Sequence, residues 1–209
     1  VLPVAVPRGL PADAARGDSI RATHTLSLLT LKPGLFTARG RDAAGQVWFD
    51  DLGVAPNEPP AALLGGPLPQ AGRLHASHKG TYGDVAVIGG APGMAGAAVL
   101  AATAALHAGA GRVYLCLLDA RSTQGPAPPE LMVRDWESLD LGTMAVACGC
   151  GGGDAVARAL PAVMARAKAL VLDADALNAI AADGTLAQGL RQRATRGQPT
   201  VVTPHPLGA

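Results

Sequence analysis

Four short stretches carry the residues able to do chemistry: GGAPGMAG (89–96), CGCGGG (148–153), DADALN (173–178) and TPHP (203–206). Each follows an apolar run. In the second, Gly149, Gly151 and Gly153 alternate ahead of Asp154, so backbone N–H groups unobstructed by side chains could face a phosphate or another polar ligand. The first could act likewise at a helix start, or be only a tight strand-to-helix turn, since it matches neither G-x-G-x-x-G nor a Walker A loop. Asp173 and Asp175 are paired carboxylates suited to a hydrated magnesium ion or to orienting a substrate hydroxyl. Helix capping accounts for Asp175 without any function, which leaves Asp173 as the carboxylate expected to face a crevice. His205, between Pro204 and Pro206, has a stiff backbone and an imidazole aimed in a preferred direction. It suits a ligand contact, and equally an exposed histidine in a proline turn.

Other chemistries find little support. No G-x-S-x-G is present, and nothing groups a nucleophile with a base. Cys116, Cys148 and Cys150 form no C-x-x-C pair, so a disulfide scaffold is excluded and a reducing compartment fits. Cys148 and Cys150 read as small buried fillers, and His75-x-x-His78 has no third partner, so no metal site is expected. With 17 basic against 16 acidic residues, a net charge of +1 and 3% aromatics, nucleic acid is not the expected partner. Apolar residues at 49% and charged residues at 16% describe a chain that folds rather than a disordered one. The stretch from Val85 to Gly111 has no charged residue, but its Gly-Pro cluster leaves only Ala95 to Ala108 as continuous helix. At about 21 Å that falls short of the roughly 30 Å hydrocarbon core, so a buried helix and no membrane partner are expected. The opening VLPVAVPRGL has neither Met nor a basic leader, and reads as an internal start.

These residues need elements to hold them. Apolar runs at Val85–Ile88, Val113–Leu118, Met144–Cys148, Ala169–Leu172 and Thr200–Thr203 predict strands, and Ala-rich stretches at Ala95–Ala108, Asp154–Ala167 and Asp175–Ala181 predict helices. Leu186–Arg193 is a weaker fourth, interrupted by Gly189. Continuous apolar strands are buried on both faces, which gives an α/β class with a doubly wound parallel sheet. Ligands in such sheets bind beyond the carboxyl ends of the strands, where all four chemical stretches fall. Residues 1–55 follow another pattern, with strands at Val1–Val6, Thr23–Leu31 and Gln46–Phe49 and no intervening amphipathic helix. The Pro-rich stretch 56–74 reads as a linker, and 75–209 as the second domain.

The order of motifs in 75–209, from HKGTYGDVAVIGGAPGMAGAAVL through PELMV, GCGGG and VLDADALNAIA to VVTPHP, closely resembles the ADP-dependent NAD(P)H-hydrate dehydratase family of ribokinase-like, three-layer fold. The resemblance implies repair of hydrated NADH or NADPH, with a phosphate of ADP (or ATP), accompanied by Mg2+, consumed to activate the hydroxyl that leaves. It implies hydrated-dinucleotide contacts at Ala97, Gly153 and His205, and an active-site location for Asp173 and Asn178. The family more often shows GPGLG where this chain has GCGGG, yet the glycine spacing survives. Residues 1–54 resemble the C-terminal part of an NAD(P)H-hydrate epimerase domain, through PVAVPRGLPAD, ATHTLSLLTLKPGL and GQVWFDDLGV. There the family's substrate Asp and K+-ligating Ser are Ala5 and Arg8, and an arginine is a poor substitute for a cation ligand, which argues against epimerisation and a bound K+. The family's K-G-x-x-T and G-x-G-D segments, with the catalytic Asp, are expected beyond Ala209, so the chain reads as an incomplete ribokinase-like domain behind a partial α/β one. It is expected to be poorly soluble alone. A homo-oligomer in the cytoplasm is also expected. The alternatives are a vitamin-alcohol kinase of the same fold or an inactive dinucleotide-binding fragment.

Overall fold

The computed structural model describes residues 1–13, 18–66, 72–119 and 127–205. The chain divides into two compact units, Val1–Ala71 and Gly72–Ala209. Part of the Pro-rich stretch, residues 67–71, lies outside the described residues, as does Pro206.

In the first unit, β1 (His24–Leu28) and β2 (Gln46–Asp50) pair in parallel, joined through α1 (Ala38–Ala44). This crossover helix corrects the expectation of strands without an intervening helix. Its sequence, ARGRDAA, buries only Gly40, Ala43 and Ala44, so it has no bulky apolar stripe to announce it. The expected strand at Val1–Val6 reduces to an isolated parallel bridge between Val4 and Leu26. Pro3 and Pro7 flank it and have no N–H to extend a ladder. Leu10, Leu35 and Ala44 form a small core with Val6, Phe36 and Val47 against them. The buried Thr25 hydroxyl donates to the Ala44 carbonyl at 2.7 Å, tying β1 to the end of α1.

The second unit holds a six-stranded sheet. Along the chain come β3 (Asp84–Gly89), α2 (Ala95–His107), β4 (Arg112–Leu117), β5 (Met132–Val133) and β6 (Ala145–Cys148). Then follow α3 (Val156–Arg166), β7 (Ala169–Asp173), α4 (Asp175–Ala182), α5 (Gly184–Thr195) and β8 (Thr200–Thr203). The strand order is β5-β4-β3-β6-β7-β8 and every pairing is parallel. The five expected strands are all present; the two-residue β5, inside PELMV, is additional. Helix α5 runs unbroken through Gly189, where an added Cβ would meet the Met164 methyl at 3.2 Å. The missing side chain there lets α5 lie close to α3.

Alternate residues of the strands face opposite layers. Ala86, Ile88, Val146, Cys148, Leu170 and Leu172 pack with α3, α4 and α5. Val87, Val113 and Leu115 pack with Ala98 and Ala102 of α2. This two-sided burial is why β3 and β4 read as unbroken apolar runs, whereas Val171 of β7 and Val201 and Val202 of β8 are exposed. At the amino edge of the sheet, Arg112 donates from Nε and Nη2 to the two Asp84 oxygens, at 2.7 and 2.5 Å, across β3 and β4. The fully buried Arg193 donates to the carbonyls of Met164 (2.8 Å), Ala167 (2.9 Å) and Pro199 (3.2 Å) and to the Thr200 hydroxyl (2.9 Å). It therefore fastens α5 to the end of α3 and the start of β8. Among the described residues no helix is long and apolar enough to cross a membrane.

Candidate functional site

At the carboxyl edge of the sheet, the loop after β6 is fastened to the turn after β3. Gly149 N–H donates to the Ile88 carbonyl at 3.0 Å, Gly90 N–H to the Cys150 carbonyl at 3.1 Å, and Ala91 N–H to the Gly151 carbonyl at 2.7 Å. The β3–β6 ladder thus continues past the strand ends. Two glycines of this loop also lie too close to the acidic turn and to α2 to carry a side chain. Gly149 has φ +117°, and an added Cβ would lie 2.0 Å from the Asp173 carbonyl oxygen and 2.7 Å from the Ala176 methyl. Gly151 has φ +58°, and its Cβ would lie 2.8 Å from the Met94 carbonyl oxygen and 2.9 Å from the Ala97 methyl.

Ala97, in the first turn of α2, therefore packs directly on the glycine loop. Gly153 sits at the other end of that loop, closely covered by Ala91 and the tip of Met94, which an added Cβ would meet at 3.2 and 3.3 Å. Its N–H donates to Asp175 Oδ2 at 2.8 Å, and its carbonyl accepts from Val156 N–H.

That contact corrects the capping role expected for Asp175. The residue before α4 is Ala174, which makes no side-chain cap, and Asp175 is the first helical residue. Ala174 has φ 41° and ψ −111°, a torsion that costs a non-glycine residue on the order of 1–3 kcal/mol. The sharp turn there separates the tasks of its two acidic neighbours: Asp175 reaches the glycine loop, while Asp173 holds β8. Asp173 Oδ1 accepts the Thr203 hydroxyl at 2.6 Å, and Oδ2 accepts the Cys150 thiol at 3.5 Å. Asp173 is half-buried and, rather than presenting a free carboxylate to a crevice, joins the ends of β6, β7 and β8.

The cysteines follow from the same packing. Burial, with the Cys150 neighbour second, pushes the Cys148 thiol up to about 12. Burial, with the charge and hydrogen bond of Asp173 after it, pushes Cys150 up to about 11. Cys148 is a buried filler as expected, whereas Cys150 is only half-buried and hydrogen-bonded.

His205 is exposed two residues beyond Thr203, which pairs with Asp173 in the β7–β8 register. One strand, β7, lies between β6 and β8, so the carboxyl ends of those two strands stand about 10 Å apart. Gly153 and His205 therefore extend from the same edge of the sheet. Asn178 is exposed on α4 one turn after Asp175, its backbone N–H bonded to the Ala174 carbonyl. The structure thus brings Ala97, Gly153 and Asp173 into one connected set, and places Asn178 and His205 at its border. Thr203 and Met94 belong to this set and were not foreseen. Thr203 had a signal, because equal spacing along adjacent parallel strands sets it opposite Asp173. A cleft of about 210 Å³ between α3 and α5, lined by Pro161, Met164, Leu186 and Gly189 among others, contains none of these residues.

Magnesium does not fit this set as it stands. Asp173 and Asp175 are turned onto the protein's own donors, and among the described residues no three His, Cys, Asp or Glu side chains gather to hold an ion.

Residues 85–208 match a family model described as NAD(P)H-hydrate dehydratase. The chain is 35% identical, over 231 aligned positions covering 99% of it, to the bifunctional NAD(P)H-hydrate repair enzyme Nnr of Escherichia coli (strain K12), of which it covers 41%. It is 38% identical over 153 positions, 66% of its length, to the ADP-dependent (S)-NAD(P)H-hydrate dehydratase of Neisseria meningitidis serogroup B, of which it covers 48%. The chain spans less than half the length of either relative. Among solved structures, a ribokinase-like superfamily protein from Enterococcus faecalis V583 superposes with a TM-score of 0.50 at 22% identity, over 64% of this chain and 62% of that one. The fold of the second unit is ribokinase-like.

Proposed function

The chain belongs to the NAD(P)H-hydrate dehydratase family, and from that premise we propose that the protein containing it dehydrates NADH or NADPH hydrate with consumption of ADP. The single observation that carries this reading is the joining of the glycine loop to the start of α2 and to the acidic turn, at the carboxyl edge of a parallel sheet. The vitamin-alcohol kinase alternative is not favoured by the family match.

In this reading the nucleotide supplies a phosphoryl group to the ring hydroxyl of the hydrate, converting a poor leaving group into a good one. The residues of this chain bind and orient the other reactant. Ala97 and Gly153 offer a side-chain-poor surface against which a flat ring or sugar can lie closely. His205, at the border, offers an imidazole able to donate or accept. Asp173 keeps the three strand ends in one arrangement, so that these contacts converge. No step here runs through a metal ion. Epimerisation by the first unit is not part of this proposal. Ala5, at φ 77° with its N–H bonded to the Leu26 carbonyl, presents only a methyl group, and Arg8 brings a positive charge where a cation would bind.

The test is regeneration of NADPH from its hydrate by the full reading frame, followed by absorbance with and without ADP. ADP-dependent regeneration supports the proposal. A folded full-length protein that regenerates none rejects it.

A further inference from the structure

We propose that Asp175 is a positioning residue for the dehydration, acting on the hydrated dinucleotide through the backbone of Gly153. The inference rests on the functional reading above and adds to it how the glycine loop meets its ligand.

A run of glycines has the largest conformational freedom of any backbone, so a binding surface made from it requires outside restraint. The near end of this loop has that restraint in the hydrogen bonds between Gly149 and Ile88, Gly90 and Cys150, and Ala91 and Gly151. At the far end, Gly153 adopts φ +51°, and the hydrogen bond from its N–H goes to Asp175, 22 residues along the chain. Asp175 can reach it because Ala174 takes a torsion that alanine disfavours. The glycine loop and the acidic turn are thus coupled through one carboxylate.

A second consequence concerns what Gly153 offers. Its N–H is taken by Asp175, so Gly153 keeps no backbone donor for a ligand; its carbonyl, which accepts from Val156 N–H, can still accept a second hydrogen bond. A carboxylate oxygen 2.8 Å from that N–H also repels phosphate. The part of the dinucleotide lying on Gly153 is therefore an uncharged one, and the pyrophosphate lies elsewhere.

The experiment compares full-length wild type, Asp175→Ala and Asp175→Asn, measuring kcat and KM for NADPH hydrate and for ADP separately. Loss of a charge-assisted hydrogen bond should raise the hydrate KM of Asp175→Ala about tenfold or more. The ADP KM should stay within about twofold, because positioning is confined to the hydrate side. Asp175→Asn should recover most of the loss, since its amide oxygen accepts the same N–H. A hydrate KM unchanged in Asp175→Ala, a drop in kcat alone, or an Asn variant as damaged as the Ala one overturns the proposal. A wild type without activity sinks the functional reading instead. Amide exchange at Gly153 in the same proteins then decides the positioning claim. Exchange faster by about tenfold in Asp175→Ala, with β3 amides unchanged, supports it; equal exchange at Gly153 overturns it.

Discussion

Replacing Gly149 with alanine tests whether the glycine loop and the acidic turn are held in contact by backbone geometry. Two costs combine. At φ +117° an L-residue is strained by about 1–2 kcal/mol. The added methyl would also stand 2.0 Å from the Asp173 carbonyl oxygen, 2.7 Å from the Ala176 methyl and 2.9 Å from the Ala176 nitrogen. None of these atoms is the end of a flexible side chain, so relief requires moving β7 or α4, an overpacking cost of about 1–3 kcal/mol or more. Together the two give roughly 2–5 kcal/mol, the upper end of which is exceptional for one substitution. For a unit the size of Gly72–Ala209, that lowers the melting temperature by on the order of 10 °C or more. Gly93→Ala is the control, since Gly93 has φ +80° but an added Cβ meets nothing within 4 Å. It should show the torsional cost alone, about 1–2 kcal/mol. Calorimetry on the full-length protein reads both variants. If Gly149→Ala melts within about 3 °C of wild type, or no lower than Gly93→Ala, the close approach of β6 to the acidic turn does not govern this edge.

Arg193→Met should lower stability by about 3 kcal/mol in urea titrations with an unchanged slope, because the buried Met164 and Ala167 carbonyls, the Pro199 carbonyl and the Thr200 hydroxyl lose a donor. Thr203→Val should cost about 1–2 kcal/mol by removing the donor to Asp173 Oδ1, and Thr203→Ser should largely restore it. The thiols impose a pH dependence of defined sign. Cys116 and Cys148 are pushed up to about 12 and Cys150 to about 11, chiefly by burial, from an ordinary value of 9.0. The folded protein therefore keeps protons that the unfolded chain releases. This contribution is complete below about pH 9 and is lost as pH rises through about 11–12, visible as falling urea midpoints in that window. At pH 8 a thiol reagent should label Cys150 slowly and Cys116 and Cys148 only after unfolding.

The strands of the sheet were legible as unbroken apolar runs, through two-sided burial in Val85–Ile88, and in Ala169–Leu172 although Val171 is exposed. Helix α1 was not, since its buried positions are a glycine and two alanines, which no hydrophobic period picks out. At the site, residue types were readable and partners were not. Asp173 and Asp175 stood out as carboxylates at a strand end, but their partners Thr203 and Gly153 are 30 and 22 residues away. Local pattern names the edge on which side chains gather without saying which of them bond. The capping expectation for Asp175 failed for a related reason. A carboxylate at a helix start ordinarily serves its own first turn, and here the torsion at Ala174 sends it to a different loop. Alanine is a poor residue for a positive φ, so nothing in the letters DADALN announces that turn. A disfavoured torsion persists only where surrounding contacts outweigh it. Here those contacts are the Asp175–Gly153 bond on one side and the Asp173–Thr203 bond on the other. The place where local rules fail is thus the place where the glycine loop, the acidic turn and β8 are tied together, as expected of a site whose geometry takes precedence over local preference.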